Sequence, residues 1–425
     1  MPSRIGKYEL RREIGRGSMG VVYEAHDPYI RRTVALKLAR VAADLQHEPG
    51  RRFQRLFFNE AHTAGLLHHP GILDIFDAGV EDGRCYLVME LVPGGATLRP
   101  YCTGPERLPL NQVTQILFQC AKALDYAHRQ GVVHRDVKPS NLLLMPTMEV
   151  KIADFSIAHI NHPEMASTLP LGFVGSPRYM APEQVVEDLV TGQTDLFALG
   201  VVGYELLTGV HPFGAESFSA LMHRVVNEDP APLRRHRPGL PDSLQDILAQ
   251  AMAKDPADRF KDGFAMAAAL SAAFADLYEA PADMPVRQRI ETLAHTPFFS
   301  DFAAGQLEEI ERIGLWLEIP QGGSVVVEGE SDDAVYFLMR GEATVERAGR
   351  VLERVAQGGC FGEIAYLRRV RRTASVRAQT PLSVLKLNAT LLDRVSPPTQ
   401  LAFYRAMSTT LVERLAATTA ALLQA

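Results

Sequence analysis

The sequence predicts an α+β protein of several domains. Three observations carry that reading. The chain has 425 residues, and at about 100–200 residues per domain such a length divides into two or three. Its opening and its tail alternate apolar and polar residues between short turns, as strands do. Its middle has helical periodicity instead. A composition of 47% hydrophobic and 22% charged residues suits a chain with packed cores.

The elements follow in order. Tyr8 to about Ala39 reads as a small antiparallel sheet. Phe53–Leu67 is a helix that stops at the breaker "HHPG". Tyr86–Glu90 reads as a strand, and Leu110 to about Tyr278 is mostly helical. "EAPADMPV", residues 279–286, carries two prolines and reads as a linker. Fully stretched it spans about 25 Å, so it keeps its neighbours close. A helical lead-in, Arg287–Leu317, precedes short Val-rich strands from about Ile319 to Leu387, the pattern of a small β-barrel or jelly roll. A long helix follows Pro398. Its apolar residues Tyr404, Met407, Leu411, Leu415 and Leu422 form a seam. The seam suits either a homodimer through this C-terminal helix or packing back on the barrel.

Composition excludes several classes. A net charge of -6 argues against nucleic-acid binding, which needs a basic face. Cys85, Cys102, Cys120 and Cys360 have no paired spacing and read as reduced thiols of a cytoplasmic protein. No leader is expected, and no membrane span. The longest apolar run, near Leu196–Leu207, is broken by Gly200, Gly203 and Glu205. No helix-turn-helix module is expected after the last helix.

"IGRGSMGVV" places Gly15, Gly17 and Gly20 in a G-x-G-x-x-G spacing. Glycines let backbone approach a phosphate and adopt positive φ. In dinucleotide folds that pattern opens a helix. Here "VVYEA" follows, a strand, so the glycines join two strands. "VALK" then puts Lys37 on a strand, where a buried ammonium needs a charged partner. Glu60, on the Phe53–Leu67 helix, is the candidate; the plainer alternative leaves both on the surface.

"HRDVKPSN" spans His134–Asn141, "DFS" spans Asp154–Ser156 and "APE" spans Ala181–Glu183. In this order, after the glycine loop and Lys37, they match the protein-kinase signature set. Residues 1–278 therefore resemble the eukaryotic-like (Hanks-type) Ser/Thr protein kinases. The resemblance implies a bilobal fold, with an N-lobe over about 1–92 and a C-lobe over about 93–278. It also implies ATP, Mg²⁺ (with Mn²⁺ acceptable) and protein substrates. In it Lys37 holds the α/β-phosphates, oriented by Glu60. Asp136 accepts the proton of the acceptor hydroxyl, Lys138 reaches the transferring phosphate, and Asn141 and Asp154 bind the metal. Val22, Ala35, Met89 and Leu143 would line the adenine pocket, with Glu90 to Val92 as its hinge. Glu183 is expected to pair with Arg259, and Asp195 to hold the catalytic loop through backbone bonds. Ser167 and Thr168 are expected phosphosites whose phosphate meets Arg135. One departure is Ser156, where the family has glycine. A silent kinase fold serving as a scaffold is the rival reading.

The tail carries a second signature. "FGEIAYL" at Phe361–Leu367 is followed by "RRTASV" at Arg371–Val376. This resembles the cyclic nucleotide-binding domain of the catabolite activator protein and its relatives, over residues 287–425. The resemblance implies a site for cAMP or cGMP formed by Gly362, Glu363, Ala365, Arg372 and Thr373. Glu363 would accept from the ribose 2′-hydroxyl and Arg372 would meet the phosphate oxygens with its planar fork. Phe403 and Tyr404 are candidate lids over the base. Arg371 stands where the family has proline. A domain of this fold that only dimerises or docks is the alternative. Together the halves read as a bacterial protein kinase regulated in cis by a cyclic nucleotide.

Overall fold

The computed structural model describes residues 4–17, 20–42, 48–92, 96–103, 107–145, 149–155, 177–275, 284–328, 334–368, 372–392 and 395–424. The chain divides into two compact units, Met1–Leu270 and Ser271–Ala425.

The first unit begins with strands β1 (Arg4–Ile5), β2 (Tyr8–Arg16), β3 (Gly20–Asp27) and β4 (Arg32–Ala42). Helix α1 (Glu48–Gly65) follows, then β5 (Ile75–Glu81) and β6 (Arg84–Met89). The strands form one antiparallel sheet in the order β1-β2-β3-β4-β6-β5. In β3 and β4 the alternation puts Tyr23, Ala25, Val34, Leu36 and Leu38 in one core with Tyr8 and Val88. The opposite face turns Ala35 and Val22 toward the cleft below. Period-two patterning thus supplies a core on one side and a ligand surface on the other.

The helical half of this unit contains β7 (Ala96–Thr97), α2 (Arg99–Thr103) and α3 (Leu110–Arg129). The short hairpin β8 (Leu142–Leu144) and β9 (Val150–Ile152) comes next. Then come α4 (Pro182–Val185), α5 (Gly192–Thr208), α6 (Phe218–Asn227), α7 (Leu233–His236), α8 (Asp242–Ala251) and α9 (Gly263–Ala275). Helix α5 is the axis of this half. Every residue from Thr194 to Thr208 is buried, Asp195 and Glu205 included, and a helix buried on all faces must lie inside a core. Thr191 caps its start by accepting from the Gln193 N–H at 3.3 Å. Among the described residues no helix is long and apolar enough to cross a membrane.

Two buried polar devices fix this half. The expected Glu183–Arg259 pair is present and bidentate, with both N···O distances 2.8 Å. Thr194 adds a hydroxyl to Glu183 at 2.7 Å, and the remaining Arg259 donors meet the carbonyls of Ala253, Lys254 and Gln193. Every donor of a buried guanidinium is thereby given an acceptor, which offsets much of its desolvation. Nearby, His211 is buried with both ring nitrogens committed. Its Nε2 lies 2.7 Å from the Arg178 carbonyl, and its Nδ1 accepts from the Phe213 N–H at 3.2 Å.

The second unit opens with α10 (Val286–Ala294) and α11 (Ala304–Ile313). Strands β10 (Leu315–Ile319), β11 (Ser324–Val326), β12 (Ala334–Arg340), β13 (Ala343–Arg347), β14 (Arg350–Val355) and β15 (Cys360–Phe361) follow. Helix α12 (Glu363–Arg368), β16 (Ser375–Ala378), β17 (Leu382–Asn388), α13 (Ala389–Leu392) and α14 (Pro397–Gln424) complete it. Two four-stranded sheets, β10-β17-β12-β15 and β11-β16-β13-β14, make a jelly roll. Strand β12 is buried on both faces. Ala334, Tyr336 and Leu338 face the space between the sheets. Val335, Phe337 and Met339 face an outer core built with Phe298, Phe299, Trp316, Phe403 and Met407.

That two-sided burial explains where the expected lead-in helix departs from the structure. The helix ends at Ile313, and Leu315–Leu317 is strand. Trp316 goes to the outer core while Leu315 and Leu317 go to the inner one, a period of two that no helix can satisfy. The expected seam on the last helix also divides. Met407 is buried in the outer core, whereas Tyr404 is 43% and Leu415 68% exposed. Phe403 is core rather than a lid, in ring contact with Phe298, Phe337 and Tyr366.

His211 gives a pH test. Burial, with the Arg178 charge beside it, lowers its pKa from 6.5 to about 4. Between those values the unfolded chain takes up a proton that the folded chain refuses, so stability falls as pH is lowered through this window. The loss is about 3 kcal/mol at most, at 1.36 kcal/mol per pKa unit. Urea titrations at stepped pH are expected to show that slope in the native sequence and a flatter one in His211→Gln.

Candidate functional site

The cleft of the first unit is assembled from five backbone segments. The first is the turn between β2 and β3. A Cβ on Gly20 would run into the Leu38 carbonyl oxygen, so only glycine fits where β3 meets β4. A Cβ on Gly17 meets nothing within 4 Å. Gly17 also donates its N–H to the Gly20 carbonyl at 2.9 Å, which closes the turn. Gly15 pairs with Val22 in the sheet.

Lys37 sits mid-strand on β4, opposite Val22 on one side and Leu87 on the other. Its ammonium meets the Asp154 carboxylate at 2.7 Å. The expected partner Glu60 lies on α1, and its side chain lies outside the described residues. Burial alone would push the Asp154 carboxyl up, but the Lys37 ammonium outweighs it and holds the group below the usual 3.8. Asp154 has a left-handed backbone, φ +55°, a conformation a non-glycine residue adopts only when its surroundings impose it.

The catalytic loop is hung from α5. The Asp195 carboxylate accepts the His134 N–H and the Arg135 N–H, each at 2.7 Å, and lies 2.8 Å from His128 Nε2. Asp195 therefore plays the anchoring part expected of it, with His128 as an unforeseen third partner. Arg135 is held at φ +66°, a conformation a non-glycine residue keeps only when its surroundings impose it. The ring of His134 clasps the loop to the next segment: Nδ1 accepts from the Asp136 N–H at 3.2 Å, and Nε2 lies 3.0 Å from the Ala153 carbonyl. Phe155 packs on that ring at 4.7 Å.

Asp136, Lys138 and Asn141 converge at the loop's end. Lys138 Nζ donates to Asp136 Oδ2 at 2.5 Å. The Asn141 amide NH₂ donates to the Asp136 carbonyl at 2.9 Å and to Oδ2 at 3.2 Å. That orientation turns the Asn141 amide oxygen away from Asp136. Asn141 and Asp154 thus offer two hard oxygen donors, a set that fits Mg²⁺, which draws its other ligands from phosphates and water.

Above the loop, Ala35, Met89 and Val92 pack in one apolar cluster, with Val22 and Leu143 against it. These five are the sequence-predicted adenine contacts. Glu90 is turned elsewhere: its N–H goes to the Asp74 carbonyl at 2.9 Å and its carboxylate to Lys151 at 2.7 Å. Ser156, Ser167 and Thr168 lie outside the described residues.

In the second unit, Arg372 is buried at 3% exposure. Its Nη1 donates to the Gly362 carbonyl at 2.9 Å and its Nη2 to the Ala334 carbonyl at 2.7 Å. The guanidinium lies 5.2 Å from the Tyr336 ring, which stacks on Phe361. Gly362 has φ +85°, and a Cβ there would sit 2.5 Å from Arg372 Nη1. Glu363 is paired with Arg414 of α14 at 2.9 Å, and Arg414 also donates to the Cys360 carbonyl. Ala365 lies on α12, its side chain outside the described residues, and Thr373 is exposed at a bend. Arg414 escaped the sequence reading, because nothing local marks a residue that acts 51 positions away from its partner.

The glycine turn, the strand lysine and the loop hung from a buried aspartate define a protein kinase. Comparison with known proteins agrees. A family profile for the protein kinase domain matches residues 8–274, and the chain belongs to that family. A profile for the cyclic nucleotide-binding domain matches residues 316–396. The chain is 37% identical over 269 residues to the serine/threonine-protein kinase PrkC of Bacillus subtilis (strain 168), covering 63% of this chain and 41% of that protein. It is 38% identical over 273 residues to the serine/threonine-protein kinase PknA of Mycobacterium tuberculosis (strain ATCC 25618 / H37Rv), covering 63% and 61%. The chain thus spans about half the length of these curated relatives. The crystal structure of the Mycobacterium tuberculosis PknI kinase domain, a cysteine-to-alanine mutant, superposes with a TM-score of 0.50 at 30% identity, covering 64% of this chain and 98% of that one.

Asp195→Asn tests the anchor. The amide turns an NH₂ toward donors, leaving a buried N–H without its acceptor. The variant is expected to lose about 3 kcal/mol of unfolding free energy in urea titrations.

Proposed function

We propose that the first unit transfers the γ-phosphoryl group of ATP to serine and threonine hydroxyls of proteins, and that a cyclic nucleotide bound by the second unit regulates this in cis. The convergence of Asp136, Lys138 and Asn141 on one point, with Lys37 and Asp154 across the cleft, carries the first part. Bound Mg²⁺ neutralises charge on the phosphates. Asp136 orients the acceptor hydroxyl and takes its proton. Lys138 leaves Asp136 to meet the transferring phosphoryl oxygens, and Lys37 turns from Asp154 to the α/β-phosphates. The glycine turn, whose Gly17 has no neighbour within 4 Å of a Cβ position, leaves room for the same anion. Such a site acts by positioning and charge.

The second part rests on Glu363 and Arg372. A ribose hydroxyl offered to Glu363 re-sorts its bond with Arg414, so α14 feels occupancy of the pocket. A cyclic phosphate draws the Arg372 fork from the Gly362 and Ala334 carbonyls. Regulation requires the ligand to prefer one arrangement, typically by about 1–3 kcal/mol. The exposed stripe Leu401, Tyr404, Val412 and Leu415 on α14 supports pairing with a second copy. The use of ATP and four cysteines that are all unpaired support a cytoplasmic location.

Asp136→Asn is expected to lower phosphate transfer to a generic basic protein by about 10²–10⁴-fold, measured with labelled ATP and Mg²⁺. Transfer unchanged in that variant would refute the assignment. Calorimetry of the full chain with cAMP and cGMP is expected to show binding by the native sequence and loss in Arg372→Ala. No heat from either nucleotide would leave the second unit as a docking module.

A further inference from the structure

Thr373 is a kinase-type acceptor hydroxyl set at the end of an arginine-rich stretch of the sequence. It follows Arg368, Arg369, Arg371 and Arg372 in sequence. The next hydroxyl, Ser375, is half-buried and accepts the Glu328 N–H at 2.9 Å. Thr373 is instead exposed, at a bend that precedes β16. Arg372, beside it, is turned inward and tied to two carbonyls. A hydroxyl of the acceptor type a Ser/Thr kinase uses is thus exposed beside the arginine that the cyclic-nucleotide reading assigns to a phosphate.

We propose that Thr373 is an autophosphorylation site, and that its phosphate and a cyclic nucleotide exclude each other from the second unit. The inference rests on the kinase reading of the first unit. In the step, Thr373 Oγ bonds to the γ-phosphorus of MgATP. The bond from that phosphorus to the β-phosphate oxygen breaks, and its electron pair leaves on ADP. The hydroxyl proton passes to Asp136. The product carries a charge of about −1.5 to −2 and three acceptor oxygens on a segment rich in arginine. A cyclic mononucleotide brings its own negative charge to that segment, so each anion repels the other. Conversely, a bound nucleotide covers the hydroxyl. Nucleotide occupancy and self-modification then become alternative inputs to one pocket.

The experiment uses the full native chain with ATP and Mg²⁺, with and without saturating cAMP or cGMP. Phosphopeptides are mapped by mass spectrometry, and transfer to a generic basic protein is followed in parallel. Phosphate on Thr373 is expected, and either nucleotide is expected to lower the ratio of Thr373 modification to generic transfer by about tenfold or more. Calorimetry on the modified chain, and on Thr373→Glu, is expected to show nucleotide binding weakened by about tenfold or more. Generic transfer with Thr373 unmodified would overturn this proposal while leaving the kinase reading intact. Absence of all transfer would overturn both. A ratio that neither nucleotide changes would overturn the exclusion.

Discussion

One buried carboxylate organises the catalytic half of this molecule. Asp195 lies on the most buried helix of the first unit, and its two oxygens hold the backbone of His134 and Arg135. Everything downstream depends on that suspension. Arg135 can keep its left-handed φ because its N–H has nowhere better to go. His134, placed by the same bond, spans from Asp136 to Ala153 and so sets the distance between Asp136 and the segment that carries Asp154. A charge that would be costly in an apolar core is satisfied by donors that must stay there. The cost of burying it becomes a restraint on loop geometry.

The second unit uses a buried charge in the opposite sense. Arg372 is a cation among backbone carbonyls, and the space it fills forbids any side chain at Gly362. The Asp195 carboxylate accepts from two adjacent amides of one loop, whereas the Arg372 guanidinium donates to the carbonyls of Gly362 and Ala334, which lie 28 positions apart in the chain.

Much of this was legible in the sequence. The glycine spacing, "VALK", "HRDVKPSN", "DFS" and "APE" pointed to strand, turn and loop positions, and the structure pairs Lys37 with Asp154 and gathers Lys138 and Asn141 on Asp136, while Glu183 of "APE" is buried against Arg259. The Glu183–Arg259 pair and the anchoring by Asp195 were likewise readable, because each of these residues sits within a short motif. What could not be read was long-range or two-sided. Strand β10 looked helical because a strand buried on both faces loses its apolar–polar alternation. The Lys37–Asp154 contact depends on a choice among carboxylates that spacing does not rank. Arg414 depends on how a terminal helix returns to the barrel, which no local pattern encodes.

The outer core of the second unit has a practical corollary. The protein contains one tryptophan, and Trp316 belongs to the same cluster as Phe403 and Met407 of α14. Its indole therefore samples the seating of that helix directly. Ultraviolet emission from the native chain offers a label-free gauge of whether the terminal helix is docked, with no competing fluorophore of its kind elsewhere in the polypeptide.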